Sequence, residues 1–88
     1  MGTRVMYRFI IKKPAKKFID SLPGNERQRI VTAIEKLPDS GDITRLKGHN
    51  DLFRLRVGAY RIIYSVDNGR LAVLIIDAGS RGQIYNRY

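Results

Sequence analysis

Arginines are the residues whose type and spacing in this chain are best suited to chemistry. Arg54, Arg56 and Arg61 lie close together in the stretch 53–64. A guanidinium group binds a phosphate through two parallel hydrogen bonds and keeps its positive charge at neutral pH. Several such groups on one surface could hold the phosphate of a polyanion and stabilise the extra negative charge of a pentacoordinate phosphorane without a metal ion. The alternative is a set of solvated arginines on an open sheet face.

A tyrosine near these arginines could act as a base. Positive charge lowers the pKa of a phenol, which is normally about 10, because it stabilises the phenolate. Tyr85 is the tyrosine best placed to approach the arginines from the C-terminal segment, and Arg81 precedes it by one helical turn. Gly82 weakens that turn. The alternative is that Tyr85 is an aromatic cover over apolar residues of the same surface.

The remaining composition argues against several other kinds of site. The chain contains no cysteine and a single histidine, His49. It has eight carboxylates, with no pair at ligand-like spacing near the arginines. One imidazole cannot supply both the acid and the base of a two-histidine ribonuclease, and no glycine-rich phosphate loop is present. We therefore expect neither a metal nor a cofactor, and we interpret His49 as a loop residue.

A tight hairpin is predicted to position the three arginines. Residues 53–64 alternate in polarity around Gly58-Ala59, and glycine at the first central position suits a type II′ turn. This register places Arg56 opposite Arg61 and Arg54 opposite Ile63 on one face. Like charges directly opposite each other cost a few tenths to about 1 kcal/mol, which a bound polyanion would turn into attraction. The other, core-facing side carries Phe53, Leu55, Val57, Tyr60, Ile62 and Tyr64.

Two helices are predicted after a first strand over residues 4–11. Pro14 suits the first position of a short amphipathic helix that ends near Leu22. Asn25 can cap a second helix, which Pro38 stops, and residues 39–42 form a loop. The predicted buried stripes of the two helices are Ala15, Phe18, Ile19 and Leu22, and Ile30, Ala33, Ile34 and Leu37.

A second hairpin is predicted at Asn68-Gly69, a pair typical of type I′ turns, before a last strand over residues 71–78. Its register would place Ile76 opposite Arg61 and Leu74 opposite Ile63. Apolar residues beside the arginines indicate that the C-terminal segment or a partner covers part of this surface. The predicted fold class is therefore α+β, ordered β-α-α-β-β-β, an antiparallel sheet with both N-terminal helices packed on one face.

The composition of the whole chain indicates one domain, residues 1–88. The net charge is +9, which favours nucleic acid, an anionic surface or an acidic protein as the partner. The longest apolar run, residues 71–76, is too short to cross a bilayer, and nothing resembles a signal peptide. We therefore predict a cytoplasmic location and no membrane partner.

Two segments of the sequence resemble the RelE toxins of bacterial and archaeal toxin–antitoxin systems. The first is Leu46-Lys47-Gly48 followed by residues 52–64, and the second is Gly79-Ser80-Arg81 followed by Ile84-Tyr85. The order of predicted elements also agrees along nearly the whole chain. The resemblance implies a RelE-like fold and a metal-independent, ribosome-dependent mRNA endonuclease. Such toxins cut mRNA in the ribosomal A site by attack of the ribose 2′-OH, leaving a 2′,3′-cyclic phosphate and a free 5′-OH.

The resemblance also implies partners and roles for individual residues. A RelB-like antitoxin would wrap the toxin and block its site with a helix, and operator DNA would be contacted only through that complex. Arg61 would stabilise the transition-state phosphate, Arg81 would contact the phosphate or the leaving group, and Tyr85 would be the general base. The implied phosphate-binding residues are Lys47, Arg54 and Arg56.

One departure from the family pattern concerns the leaving group. Arg54 and Arg56 stand where the best-known RelE has lysines, and an arginine with a pKa above about 12 is a poor general acid. The source of the leaving-group proton is then open, with water and ribosomal RNA as the candidates. Two alternatives stay open: a ParE-like toxin that binds DNA gyrase without catalysis, and an attenuated relative that only binds an antitoxin or nucleic acid. The presence of both Arg81 and Tyr85 favours the ribonuclease.

Overall fold

The computed structural model describes residues 6–46, 48 and 51–85, apart from the side chains of Gln83 and Tyr85. The elements are β1 (Arg8–Ile11), α1 (Lys13–Asp20), α2 (Gly24–Glu35), β2 (Asp42–Arg45), β3 (Phe53–Val57), β4 (Tyr60–Asp67), β5 (Ala72–Ser80) and α3 (Arg81–Tyr85). Five strands form one sheet in the order β1-β5-β4-β3-β2. The predicted α+β class is confirmed.

Both long helices bury their predicted stripes against the sheet. The core joins Ala15, Ile19, Ile30 and Ile34 to Leu55, Ile62, Tyr64, Val73 and Ile75 of the strands. The predicted cap of α2 is wrong: Pro23 takes the N-cap position, Asn25 lies inside the helix, and no side chain caps it. Pro14 lies in the first turn of α1, one residue after its start. None of the helices in the described part of the chain is long and apolar enough to cross a membrane.

The hairpin of β3 and β4 has the predicted register. Arg56 lies opposite Arg61, and Arg54 lies opposite Ile63. Gly58 has a φ of 59°, the left-handed conformation that the two-residue turn requires. The short turn fixes the pairing because it leaves no spare residue, and a one-residue slip would exchange the two faces.

A strand that the sequence analysis did not predict, β2, pairs with the outer edge of β3. Asp42 lies opposite Arg56 and Thr44 opposite Arg54, within the antiparallel pair. The sequence analysis predicted a loop over residues 39–42. Four residues with one apolar position between polar ones are too short for a periodic signal, so pairing with β3 rather than local pattern determines this strand.

At the opposite edge of the sheet, β1 pairs in parallel with β5, from Arg8 opposite Ala72 to Ile11 opposite Ile75. The sheet is therefore mixed, and the prediction of a wholly antiparallel sheet is wrong. Strand direction at an edge depends on how the helices return the chain to the sheet, which residues within the strand do not encode.

The predicted register of β4 with β5 is also wrong. The connection is a four-residue loop, 68–71, in which the Asp67 carboxylate accepts a hydrogen bond from the Arg70 N–H at 3.1 Å. A register irregularity at Ile63 and Tyr64 shifts the pairing further. Arg61 therefore lies opposite Gly79 instead of Ile76, and Ile63 lies opposite Asp77 instead of Leu74.

Candidate functional site

Three arginines of β3 and β4 share the sheet face that points away from α1 and α2. We call Arg54, Arg56 and Arg61 the arginine face. The alternate residues of the same strands, Leu55 and Ile62 among them, belong to the helix-covered core. Alternation along the two strands places the arginines on the other side.

Arg61 is the buried member of the arginine face, with 6% of its surface exposed. Its Nη1 donates hydrogen bonds to the carbonyl oxygens of Gly58, at 2.9 Å, and of its neighbour Tyr60, at 3.0 Å. Its Nε is buried and has no hydrogen-bond partner among the described residues. The hairpin turn thus fixes one nitrogen of the guanidinium, while its buried Nε keeps an N–H with no acceptor among the described residues.

The other two arginines contact the edge strand β2. Arg56 Nε lies 2.6 Å from the Asp42 carboxylate, and Arg54 Nη2 donates to the Thr44 hydroxyl at 3.4 Å. Asp42 and Thr44 were not predicted as site residues, because no strand was predicted on the side of β3 opposite to β4. The signal that could have found them is the alternation of the two polar residues around Ile43.

The repulsion between Arg56 and Arg61, which lie opposite each other across the hairpin, is offset by neighbouring groups. Asp42 neutralises the first, and the turn carbonyls of Gly58 and Tyr60 solvate the second. The like-charge pair therefore does not by itself require a bound polyanion, which corrects the reasoning from sequence. The buried, oriented guanidinium of Arg61 is the more informative feature of this face.

The C-terminal helix α3 packs against β4 and β5. Its first residue, Arg81, donates its backbone N–H to the Ala59 carbonyl at 3.1 Å, which ties α3 to the turn that holds Arg61. Ile84 of α3 and Ile63 of β4 are each 1% exposed, although neither belongs to the main core. The C-terminal segment thus supplies the cover expected for apolar residues near the arginines. The Arg81 side chain is exposed to solvent.

Two predicted site residues cannot be located as side chains. The Tyr85 backbone ends α3, four residues after Arg81, but its side chain lies outside the described part of the chain. Lys47 also falls outside the described residues. Their roles stay predictions.

Asp77 is a buried carboxylate to which the sequence analysis gave no role. It lies opposite Ile63, on the strand that flanks Arg61, and is 6% exposed. Its Oδ1 accepts a hydrogen bond from the Ala78 N–H at 2.8 Å. The irregularity in the β4–β5 pairing brings this carboxylate to the arginine face, and a local pattern gives no signal for such an irregularity.

The described tyrosines of β4 are poor candidates for a base. Burial raises the pKa of Tyr64 to about 12. The pKa of Tyr60 is also raised, mainly because its hydroxyl donates a hydrogen bond to Glu26 at 2.5 Å. Both phenols therefore stay protonated near neutral pH, and both lie on the core side of the sheet.

A cleft of about 450 Å³ lies between α2 and the beginning of β2, with Asp42 and Arg56 among its lining residues. No three potential metal ligands come together among the residues that the structure describes. The guanidiniums of the arginine face are groups that can bind and orient an anion.

The sequence of this chain is similar to a known protein family and to a curated relative. A protein-family model described as "ParE toxin of type II toxin-antitoxin system, parDE" matches residues 9–85. Toxin RelE3 of Methanocaldococcus jannaschii is 40% identical over the matched region, which covers 54% of this chain and 66% of that protein. The match thus spans slightly less than two thirds of the relative.

Two solved structures share the fold over nearly their whole length. One is the archaeal RelE–RelB complex of Pyrococcus horikoshii, with 30% identity and a TM-score of 0.72 over 89% of this chain and 98% of the other. The second is the RelB–RelE antitoxin–toxin complex of Methanococcus jannaschii, with 28% identity and a TM-score of 0.73 over 90% and 98% of the two chains.

Proposed function

This chain belongs to the ParE toxin family of type II toxin–antitoxin systems and is a RelE-type toxin, and on that premise we propose that it is a metal-independent endoribonuclease that cleaves translated mRNA on the ribosome. In the proposed reaction the ribose 2′-OH attacks the adjacent phosphorus while the bond to the 5′-oxygen of the next nucleotide breaks. The products are a 2′,3′-cyclic phosphate and a 5′-OH, so one proton leaves the 2′-oxygen and one reaches the 5′-oxygen.

The observation that carries the proposal is the fixed guanidinium of Arg61. Two backbone carbonyls hold its Nη1, and its buried Nε has no partner among the described residues. A donor oriented before the substrate arrives stabilises developing charge without reorganising during the reaction. Arg61 would therefore bind the scissile phosphate most strongly when it carries its extra negative charge.

The other proposed site residues would bind phosphate or transfer a proton beside Arg61. Arg81, exposed at the start of α3 and tied through its backbone to the same turn, would contact the phosphate or the leaving group. Tyr85, one helical turn later, would remove the proton from the 2′-OH. Arg54, Arg56 and Lys47 would bind flanking phosphates, and the leaving-group proton would come from water or ribosomal RNA because arginine is a poor acid.

The proposed partners are a RelB-like antitoxin and the ribosome with A-site mRNA. Both similar structures named above are toxin–antitoxin complexes with RelB. A toxin with a net charge of +9 suits RNA and an antitoxin with an acidic surface. Operator DNA would be contacted only through the antitoxin complex, and the chain would act in the cytoplasm.

A second candidate is a non-catalytic inhibitor of DNA gyrase. The name of the matching family, the ParE toxins, favours it. It predicts inhibition of gyrase supercoiling and a DNA-damage response without mRNA cleavage. A third candidate is an attenuated relative that binds RNA or an antitoxin without cutting, which the neutralisation of Arg56 by Asp42 favours.

Primer extension on a translated message, together with a growth assay, tests the proposal. Arg61→Ala, Arg81→Ala and Tyr85→Phe should each abolish new 5′-OH ends and relieve growth arrest. Arg70→Ala is the matched control because Arg70 is an exposed arginine on the loop after β4, outside the arginine face, and it should act like the parent. Parent-like cleavage by all three site variants would refute the site. Growth arrest with gyrase inhibition and no cleavage would support the second candidate.

A further inference from the structure

The edge strand β2 places a carboxylate directly on the arginine face. Asp42 is the first residue of β2, lies opposite Arg56, and approaches its Nε to 2.6 Å. Both residues point to the same side of the sheet because they form a direct cross-strand pair.

Gly41 holds the carboxylate in this position. Gly41 has a φ of 135°, and a Cβ on it would lie 2.8 Å from Leu55 Cδ1 in the core. The chain therefore enters β2 through a residue that only glycine suits, close against β3. This entry fixes Asp42 in register with Arg56.

A carboxylate and a phosphate compete for the same edge of a guanidinium. Each presents two oxygens that accept parallel N–H bonds, and Nε belongs to the edge used in such bidentate pairs. While Asp42 occupies Nε, Arg56 presents less positive charge to an RNA strand. Two residues further along β2, Thr44 gives Arg54 a neutral hydroxyl in the corresponding cross-strand position, so β2 offers the two arginines of β3 different chemistry.

The Asp42–Arg56 pair is weak enough for RNA to displace. The side chains are 56% exposed for Arg56 and 49% exposed for Asp42, and solvent screens an ion pair of this kind. An RNA phosphate that reaches Arg56 must replace the carboxylate and then lies near its negative charge. The expected result is weaker RNA binding, by a factor of about two to five.

We propose that Asp42 is an attenuating residue of the RNA site, which occupies Arg56 in place of a phosphate and thereby lowers the affinity of the toxin for RNA. The proposal rests on the proposed function in one respect, that RNA is the ligand of the arginine face. It assigns regulation to a residue that takes no part in bond making or breaking.

Binding of a single-stranded RNA oligonucleotide with 2′-O-methyl groups, which cannot undergo 2′-OH attack, tests the inference. Asp42→Asn and Asp42→Thr should each bind about two to five times more tightly at low salt. The slope of log K against log salt should become steeper by about 0.7, because one more phosphate contact forms on a single strand. Asp42→Thr reproduces the partner that Thr44 gives Arg54 and suits a strand.

Asp39→Asn is the matched control. Asp39 is exposed and lies three residues before Asp42. Because Asp39→Asn changes the net charge by the same amount as Asp42→Asn, it measures the general effect of removing one negative charge. It should alter affinity and salt slope less than either Asp42 variant. In an Arg56→Ala background the effect of Asp42→Asn should disappear.

Three results would overturn the inference: equal effects of Asp39→Asn and Asp42→Asn, persistence of the Asp42 effect without Arg56, or no RNA binding by the parent at low salt. Thermal unfolding verifies that each variant is folded. Cleavage of translated mRNA is scored separately. If the Asp42 variants bind RNA more tightly but neither they nor the parent cleaves mRNA, the proposed nuclease activity is refuted and the attenuating role of Asp42 is supported. If the parent cleaves mRNA and the Asp42 variants bind RNA with unchanged affinity, the nuclease activity is supported and the attenuating role is refuted.

Discussion

Arg61 differs from the other arginines of its face in how little freedom it has. Its side chain is almost fully buried, and a single nitrogen, Nη1, donates to the carbonyl oxygens of both Gly58 and Tyr60. A charge in such a place is desolvated and depends on fixed dipoles for stabilisation. A lysine ammonium could contact the same carbonyls but would not present a second donor in the same plane.

The variant Arg61→Lys keeps the positive charge and removes the planar set of donors, so it tests which of the two cleavage requires. We expect RNA cleavage to fall by about 10²-fold or more, the usual effect of losing one oriented donor to a developing negative charge. Single-turnover cleavage of ribosome-bound mRNA measures it. Arg70→Lys, at an exposed arginine away from the face, should stay within about two-fold of the parent. Equal rates for the two variants would contradict the role of Arg61.

Tyr64 makes the fold sensitive to alkaline pH. Its pKa is raised to about 12 by burial, against about 10 in an unfolded chain, so the folded state holds the phenolic proton more tightly. The stabilisation is complete below pH 10 and is lost as pH rises towards 12, when only the unfolded state ionises. The free energy of unfolding should fall by up to about 2 to 3 kcal/mol over that range.

Urea unfolding at pH 9 and near pH 11.5 measures this loss. Tyr64→Phe removes the titrating group and keeps the ring that stacks on Phe53, so its free energy of unfolding should fall less over the same interval. If both proteins lose the same stability, another group is responsible for the alkaline transition.

Among the secondary-structure elements, the strand pairing that a two-residue turn determines was predicted correctly. The β3–β4 hairpin, its register and the three arginines follow from a two-residue turn around Gly58. The predicted register of β4 with β5 is wrong because the connecting loop is longer than the pair Asn68-Gly69 indicates. The side chain of Asp67 stabilises this longer loop, in which Leu71 takes a φ of 52°. Local preference for the tight turn was overridden by the pairing of whole strands.

The parts of the candidate site that escaped prediction depend on neighbours distant in sequence. Asp42 reaches Arg56 only because β2 pairs with β3, and Asp77 reaches the arginine face only through an irregularity between β4 and β5. No local pattern indicates Asp77, and the alternation around Ile43 is too short to predict β2 and Asp42 with it. The packing of the C-terminal helix against β4 and β5, in contrast, was predictable from the apolar residues that would otherwise be exposed beside the arginines.

Gly41→Ala should destabilise the edge of the sheet. A φ of 135° is unfavourable for alanine, and its Cβ would come 2.8 Å from Leu55 Cδ1. We expect a loss of about 1 to 3 kcal/mol in the free energy of unfolding by urea. Gly82→Ala is the control: a Cβ there meets nothing within 4 Å, and alanine favours α3, so stability should rise by up to about 1 kcal/mol. Equal losses would contradict the close approach at Gly41.

For the molecule as a whole, positive charge is the dominant long-range property. The net charge is +9 and the radius of gyration is 12.8 Å. At 0.01 M salt the screening length is about 30 Å, so the charges repel one another across the entire fold, whereas at 0.15 M it is about 8 Å. The compact state therefore carries a repulsion that salt relieves.

Raising sodium chloride from about 0.01 M to 0.15 M should raise the unfolding temperature by about 2 to 5 °C. Differential scanning calorimetry of the free protein measures the change. A parallel series with sucrose, which carries no charge, separates screening from a general solute effect. An unfolding temperature that falls as salt is added would show that specific ion pairs outweigh the net repulsion.

The position of β1 affects how the protein is made. Among the strands of the described residues, β1 has one neighbour in the sheet, β5, with Arg8 to Ile11 paired to residues 72–75. During translation β1 therefore has no strand to pair with until residues 72–75 have left the exit tunnel. A nascent chain cut short before residue 72 would carry the apolar segment Phe9–Ile11 with no strand to receive it, and chaperones and proteases would meet that product first.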